Sequence, residues 1–290
     1  MTARPSRRAF LSGALALGAG AIAAACSGND PLATAPGTTD GGTTATPESS
    51  TSGAATSTSA TVAASSTSGA TTSSKGDPAT STTAALNPAR FVDHGTGSAP
   101  QVALTFHTNG DLKIAQQVLD IVRAHQAPIT CFVIGNWLDA NPSWGAKLRD
   151  AGHELANHTY THPDFTKLSA SAMLGEITKC RDTLRNRAGD GGRFFRPSGT
   201  DVGTVDPGPT IATAAGQAGY PMVAGFDVDP HDYQDPGAAA VTKRTLDAAQ
   251  AGSIISLHFG HAGTVTALPD ILDGLATKGL TPVTLSKLVG

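Results

Sequence analysis

The sequence predicts an α/β protein whose folded part is an incomplete (β/α)7-type barrel, and three observations carry that expectation. Short apolar runs of strand character alternate with longer helical stretches about seven times from residue 99 onward, the pattern of a parallel sheet. That segment holds about 190 residues, enough for one domain with a substantial core and few for a complete eight-unit barrel. No glycine-rich nucleotide fingerprint follows the first strand, which counts against a doubly wound dinucleotide-binding sheet.

Strands are expected at residues 102–106, 129–134, 154–157, 194–196, 222–226, 253–258 and 282–285. Each is a short apolar run bounded by Gly, Pro, Asn or Asp, the spacing of buried parallel strands. Between them, "DLKIAQQVLDIVRAH" carries Ile114, Val118, Ile121 and Val122 on one face at helical period, and "TALPDILDGLATKG" reads as the last long helix.

The residues before the barrel have other tasks. In "PSRRAFLSGALALGAGAIAAAC", Arg7-Arg8 precede an uncharged apolar run too short and too rich in Ala and Gly to span a membrane, so residues 1–25 read as an export signal. Ser6 to Leu11 resembles a twin-arginine motif, and Ala23-Ala24-Ala25-Cys26 resembles a lipoprotein processing site with Cys26 as the acylated residue. An ordinary cleaved signal peptide is the alternative. Residues 26–96, as in "TTATPESSTSGAATSTSATVAASSTSGATTSSKG", hold almost no large apolar side chains and read as a disordered tether; about 60 such residues span about 40 Å. The catalytic domain is expected at 97–290.

Cys131 and Cys180 are an even number in an exported chain once Cys26 is acylated, so a disulfide is one reading; Cys131 inside "PITCFVIG" as a buried free thiol is the other. The formal net charge is -3 and the folded part has no basic cluster, which argues against a nucleic-acid partner.

In a parallel βα barrel the chemistry lies where strands end. The polar residues there are His107, Thr108 and Asp111 after the first strand, and His158 and His162 after the third. Arg196 and Ser198 follow the fourth, Asp229, His231 and Asp232 the fifth, and His258 and His261 the sixth. His158 and His162 in "NHTYTHPDF" are four apart, so two imidazoles converge on one cation if the backbone turns between them. Asp229 reads as a turn cap before Pro230, His231 and His261 as solvated loop residues, and His94 as a boundary residue.

From residue 99 the chain resembles the polysaccharide deacetylases of carbohydrate esterase family 4, on five segments in order. "LTFHTNGD" stands where that family has TFDDGP; "HTYTH" matches its HxxxH motif and "FFRPSG" its RPPYG-like segment; "FDVDPHDY" matches WxxDxxDW and "ISLH" the closing LxH. The resemblance implies His158 and His162 as metal ligands, Arg196 holding the catalytic base, Asp232 orienting His258, and His258 as general acid. It also implies a divalent metal, zinc first and cobalt, nickel or manganese as substitutes. Tyr233 stands for the usual Trp, and Ser198-Gly199 for a Pro-Tyr pair.

The departure is in the first motif, where the family places two Asp residues, a base and then a third metal ligand, and this chain has His107-Thr108. Three readings follow. His107 is the third ligand, with Asp111 or Asp229 as base; or Asp111 folds back through Asn109-Gly110 to complete the metal site and leaves His107 as base; or the site is degenerate. The expected function is metal-dependent removal of acetyl groups from an N-acetylated, peptidoglycan- or chitin-like polysaccharide. The alternative is a tethered, non-catalytic glycan-binding envelope protein. Either would be a monomer, exported and lipid-anchored through Cys26 to the outer face of the cell membrane, or secreted.

Overall fold

The computed structural model describes residues 87–200 and 203–290. The expected export signal, Cys26 and nearly all of the tether lie outside the described residues.

The longest strand, β2 (Gln101–Thr108), is buried from Val102 to Thr108 and anchors the sheet. Its C-terminal half pairs in parallel with β3 (Thr130–Val133), its first residues pair with β8 (Thr281–Val283), and β7 (Ile254–His258) runs beside it from Ala103 to His107. The remaining strands are β1 (Arg90–Val92), β4 (Glu154–Asn157), β5 (Phe194–Phe195) and β6 (Met222–Ala224). Their order is β1-β6-β5-β4-β3-β2-β7, all pairings parallel, a curved half-barrel sheet with helices outside. The ends of that path touch at an isolated antiparallel bridge between His94 and Ser253.

The helices are α1 (Leu112–Ala124), α2 (Gly135–Ala140), α3 (Ser143–Asp150), α4 (Ala170–Ala188), α5 (Pro209–Gln217), α6 (Ala238–Ala248), α7 (Ala262–Thr277) and α8 (Leu285–Val289). In α1 the buried residues are Ala115, Val118, Leu119 and Val122, one stripe at helical period. No helix among the described residues is long and apolar enough to cross a membrane.

Strand parity sorts the side chains. Val102, Leu104 and Phe106 join a core with the outer helices, whereas Ala103 joins Phe132, Ala156, Phe194 and Ile254 in the core of the opposite, inner face. Because side chains alternate along a strand, the inner face continues to His107 on β2, His158 after β4, Arg196 after β5 and His258 on β7. The four arrive together at the C-terminal rim because each lies an even number of residues beyond an inward apolar one.

One boundary is corrected, and of the two readings of the cysteines the buried free thiol is the one observed. The domain begins before residue 97, because Arg90–Val92 pairs with Met222–Ala224 and Ala89 N–H donates to Ala212 O at 2.8 Å; three residues are too few for a periodic signal to register. Cys131 and Cys180 are both buried and free, and the Cys180 thiol donates to Val133 O at 3.3 Å.

Candidate active site

The rim holds one continuous hydrogen-bonded chain. The Arg196 guanidinium lies 3.1 Å from His107 Nε2, His107 Nδ1 lies 2.8 Å from His258 Nε2, and His258 Nδ1 lies 2.7 Å from Asp232 Oδ1. An arginine only donates, so His107 Nε2 accepts and its proton sits on Nδ1; His258 Nε2 then accepts and Nδ1–H of His258 donates to Asp232. The donor inventory therefore assigns every tautomer in one direction, from Arg196 to Asp232, with both imidazoles neutral.

Each member is fixed by its surroundings. Asp232 accepts the backbone N–H of His258 at 2.8 Å and the Thr264 hydroxyl at 2.6 Å. Burial pushes its carboxyl up, but the hydrogen bonds from His258 and Thr264 outweigh burial and hold it below the usual carboxylate range. Arg196 is fully buried; it donates to Ala224 O at 3.1 Å, Gly225 O at 2.9 Å and the Thr105 hydroxyl at 3.1 Å, and its guanidinium lies 3.9 Å over the Phe132 ring. Those bonds and the ring contact, the latter worth about 2 kcal/mol when desolvated, offset a buried cation with no carboxylate hydrogen-bonded to it. Burial lowers its pKa to about 9, partly countered by Asp229, so it stays charged at neutral pH. Burial, then the neighbouring His158, His258 and Arg196, hold His107 well below the ordinary histidine range.

A second group adjoins the first. The His158 ring stacks on His107 with centroids 4.1 Å apart and meets the His162 ring at 5.0 Å. His158 Nδ1 lies 2.9 Å from Arg196 O, so it carries the proton and donates, while the buried Nε2 has no hydrogen-bond partner among the described residues. Burial, first of several causes, holds His158 well below the usual range. The turn between the two residues uses left-handed backbone at Thr159 (φ 69°) and His162 (φ 60°), which costs about 1–3 kcal/mol per residue.

Asp111 is not brought into this cluster. Gly110 adopts φ 74°, a Cβ on it would meet Gly260 Cα at 2.6 Å, and the Trp137 indole N–H donates to its carbonyl at 3.3 Å. The chain leaves that close approach directly into α1, where the Asp111 carboxylate caps the helix by accepting Lys113 N–H at 2.6 Å. Thr108 falls on the helix-facing side by parity and accepts Ile134 N–H at 3.4 Å. Asp229 accepts His231 N–H at 2.8 Å, the turn cap its position before Pro230 suggested.

A metal is implied by the fold family, and the donors fit it incompletely. His158 offers an open, buried lone pair and His162 stands beside it, but both His107 nitrogens are engaged within the Arg196–Asp232 chain. Among the described residues no three His, Cys, Asp or Glu side chains form a metal-binding group. The third position of the expected three-His site is therefore not supplied by His107 in this arrangement.

Sequence reasoning missed Thr264, whose hydroxyl donates to Asp232, and Glu176, whose carboxylate accepts from the His158–His162 turn. A Thr in the first turn of a helix and a Glu in the middle of another carry no pattern that marks either role.

The half-barrel of parallel strands with helices outside is the (β/α)7-type fold of carbohydrate esterase family 4. The polysaccharide deacetylase family matches residues 94–223. A peptidoglycan-N-acetylglucosamine deacetylase of Bacillus cereus is 30% identical over 198 residues, 67% of this chain and 70% of the relative. The solved Bc1960 peptidoglycan N-acetylglucosamine deacetylase superposes with TM-score 0.64 at 28% identity, covering 69% of this chain and 93% of that one. BA3943 of Bacillus anthracis, a pseudoenzyme of the same esterase family, shares the fold at TM-score 0.64 and 22% identity, over 71% and 70% of the two chains. The chain belongs to the polysaccharide deacetylase family.

Proposed function

We propose that the protein hydrolyses acetamido groups of an N-acetylated cell-envelope polysaccharide, peptidoglycan- or chitin-like, releasing acetate and leaving a free amine. The observation that carries this reading is the Arg196–His107–His258–Asp232 chain. Asp232 favours positive charge on His258, while Arg196 disfavours it on His107, so a proton taken from water by the pair resides on His258. Hydroxide oxygen adds to the acetyl carbon, the C–N bond breaks, and His258 returns that proton at Nε2 to the amine nitrogen. His107 stands where the family has its base, neutral and held by the same arginine.

Deacetylases of this family are generally metal-dependent. In this chain His158 and His162 would hold a divalent ion, zinc by the chemistry of neutral imidazoles, and such an ion would polarise the acetyl carbonyl and acidify water. Sequence features at Arg7-Arg8 and Cys26 support export and lipid anchoring of the same protein. The missing Asp-Asp pair favours a second reading, a glycan-binding envelope protein without activity. Acetate release from chito-oligosaccharide and from peptidoglycan, after chelation and after adding back zinc or cobalt, separates the two. Release that disappears in His258→Ala supports the hydrolase; glycan binding with no release under any metal overturns it.

A further inference from the structure

We propose that Glu176 is a positioning residue that fixes His162 relative to His158, an inference that rests on the reading of those two imidazoles as the site's open pair. His158 needs no help: it follows β4 directly, its backbone N–H donates to Val133 O at 2.9 Å, and its ring is tied to Arg196 O. His162 lies four residues further and is itself, with Thr159, one of the two left-handed residues that bracket Tyr160 and Thr161.

Those two bracketed residues are what Glu176 holds. From α4, its Oε2 accepts the backbone N–H of Tyr160 at 2.9 Å and of Thr161 at 2.8 Å, while Oε1 accepts the Thr161 hydroxyl at 2.9 Å. On the other side of the same turn, Gly135 and Asn136 donate their N–H groups to Thr159 O and Tyr160 O at 3.0 and 2.9 Å. One turn along α4 from Glu176, the Lys179 ammonium lies 3.7 Å over the Tyr160 ring. The carboxylate thus receives two successive peptide N–H groups that helix α2, itself donating, is unable to satisfy. Without an acceptor there, those peptides are free to rotate toward water, and the first rotation open to them relieves Thr159 or His162 of its left-handed backbone. His162 would then leave its place beside His158.

The role depends on one acceptor oxygen at the right reach to take both peptide N–H groups, more than on charge. Glutamine supplies an oxygen at the Oε2 position, and its amide nitrogen faces a hydroxyl able to accept; aspartate keeps the charge but falls one methylene short. Ring resonances of the histidines, assigned in two-dimensional NMR spectra of the full chain, report this without any catalysis. We expect His162 signals to move in Glu176→Ala and Glu176→Asp and to stay at the wild-type position in Glu176→Gln, with His158 constant throughout. In acetate-release assays kcat/KM should fall about 10–100-fold for Ala and Asp and be rescued by Gln, the usual scale for groups that orient a site's ligands. Asp139→Asn is the control for a merely structural tie, since Asp139 accepts from the Tyr160 and Thr183 hydroxyls at 3.2 Å but touches no peptide N–H of the turn. The proposal is overturned if His162 is unmoved in Glu176→Ala and Glu176→Asp, if Asp139→Asn moves it equally, or if Asp behaves as wild type while Gln behaves as Ala. A wild-type chain that releases no acetate removes the hydrolase reading and leaves the spectral result readable on its own.

Discussion

The two halves of the rim are built to different standards of completion. Around Asp232 both carboxylate oxygens are occupied, and the bonds continue through His258 and His107 to a guanidinium that is itself held by two carbonyls and a hydroxyl. Around His158 one buried ring nitrogen has no hydrogen-bond partner among the described residues, and the adjoining turn carries two left-handed residues. A buried polar atom left unpaired costs about 1–3 kcal/mol. On the reading proposed above, the contrast separates a half that would handle protons, complete in its own hydrogen bonds, from a half that would hold a ligand. His107 belongs to the first.

The largest expected effect tests the finished half. His258→Ala should lower kcat for acetate release by about 10²–10⁴-fold, the range for a general acid, and should also lower Tm, because buried Asp232 Oδ1 and His107 Nδ1–H lose their partner; a variant within a few-fold of wild type in kcat would falsify the assigned role.

Next comes the division between the halves. In cobalt or zinc titrations His158→Ala should lose most of its affinity, whereas His107→Ala should keep the wild-type value while losing activity. Equal losses in the two variants would move His107 to the metal-binding half and break the comparison. His107→Asp, which restores a carboxylate beside Arg196, should raise the pKa of that arginine and retain the fold, checked by the unfolding midpoint.

A smaller effect concerns pH. His107 and His158 are held well below the ordinary value of 6.5, burial being the first cause in each, so below that pH the unfolded chain binds protons that the folded one does not. Their contribution to stability is complete above about pH 6.5 and is lost as the pH falls toward the folded values. Asp232, whose folded pKa is also lowered, adds a loss of the same sign at more acidic pH. Tm should therefore fall between about pH 7 and pH 5, by less in His107→Ala than in the parent, since a desolvated imidazole is gone. A parent Tm that rises on acidification would contradict the burial of these rings.

The smallest effect is expected from the segment that precedes the domain in the sequence. Removing residues 27–85 should leave Tm nearly unchanged, because their composition offers little apolar surface to bury; a midpoint lowered by many degrees would show that the segment packs on the barrel.

The amino-acid sequence by itself determined the alternation of strand and helix, the placement of seven of the eight strands, and the histidines, arginine and aspartate at strand ends. Those are local signals: apolar period, turn residues and motif spacing are written within a few residues of one another. It also determined the family, through five motifs in order. Only the tertiary structure decided what replaces the Asp-Asp pair. Whether His107 faces His158 or His258 depends on side chains 51 and 151 positions away in the chain, and whether Asp111 folds back depends on Gly110 resting against Gly260. Thr108 was excluded by parity on a strand whose last residue no local pattern marks, and the roles of Thr264 and Glu176 depend on where their helices pack. Polar contacts between distant segments leave no period in the sequence, because a hydrogen bond asks only for one donor and one acceptor at the right place.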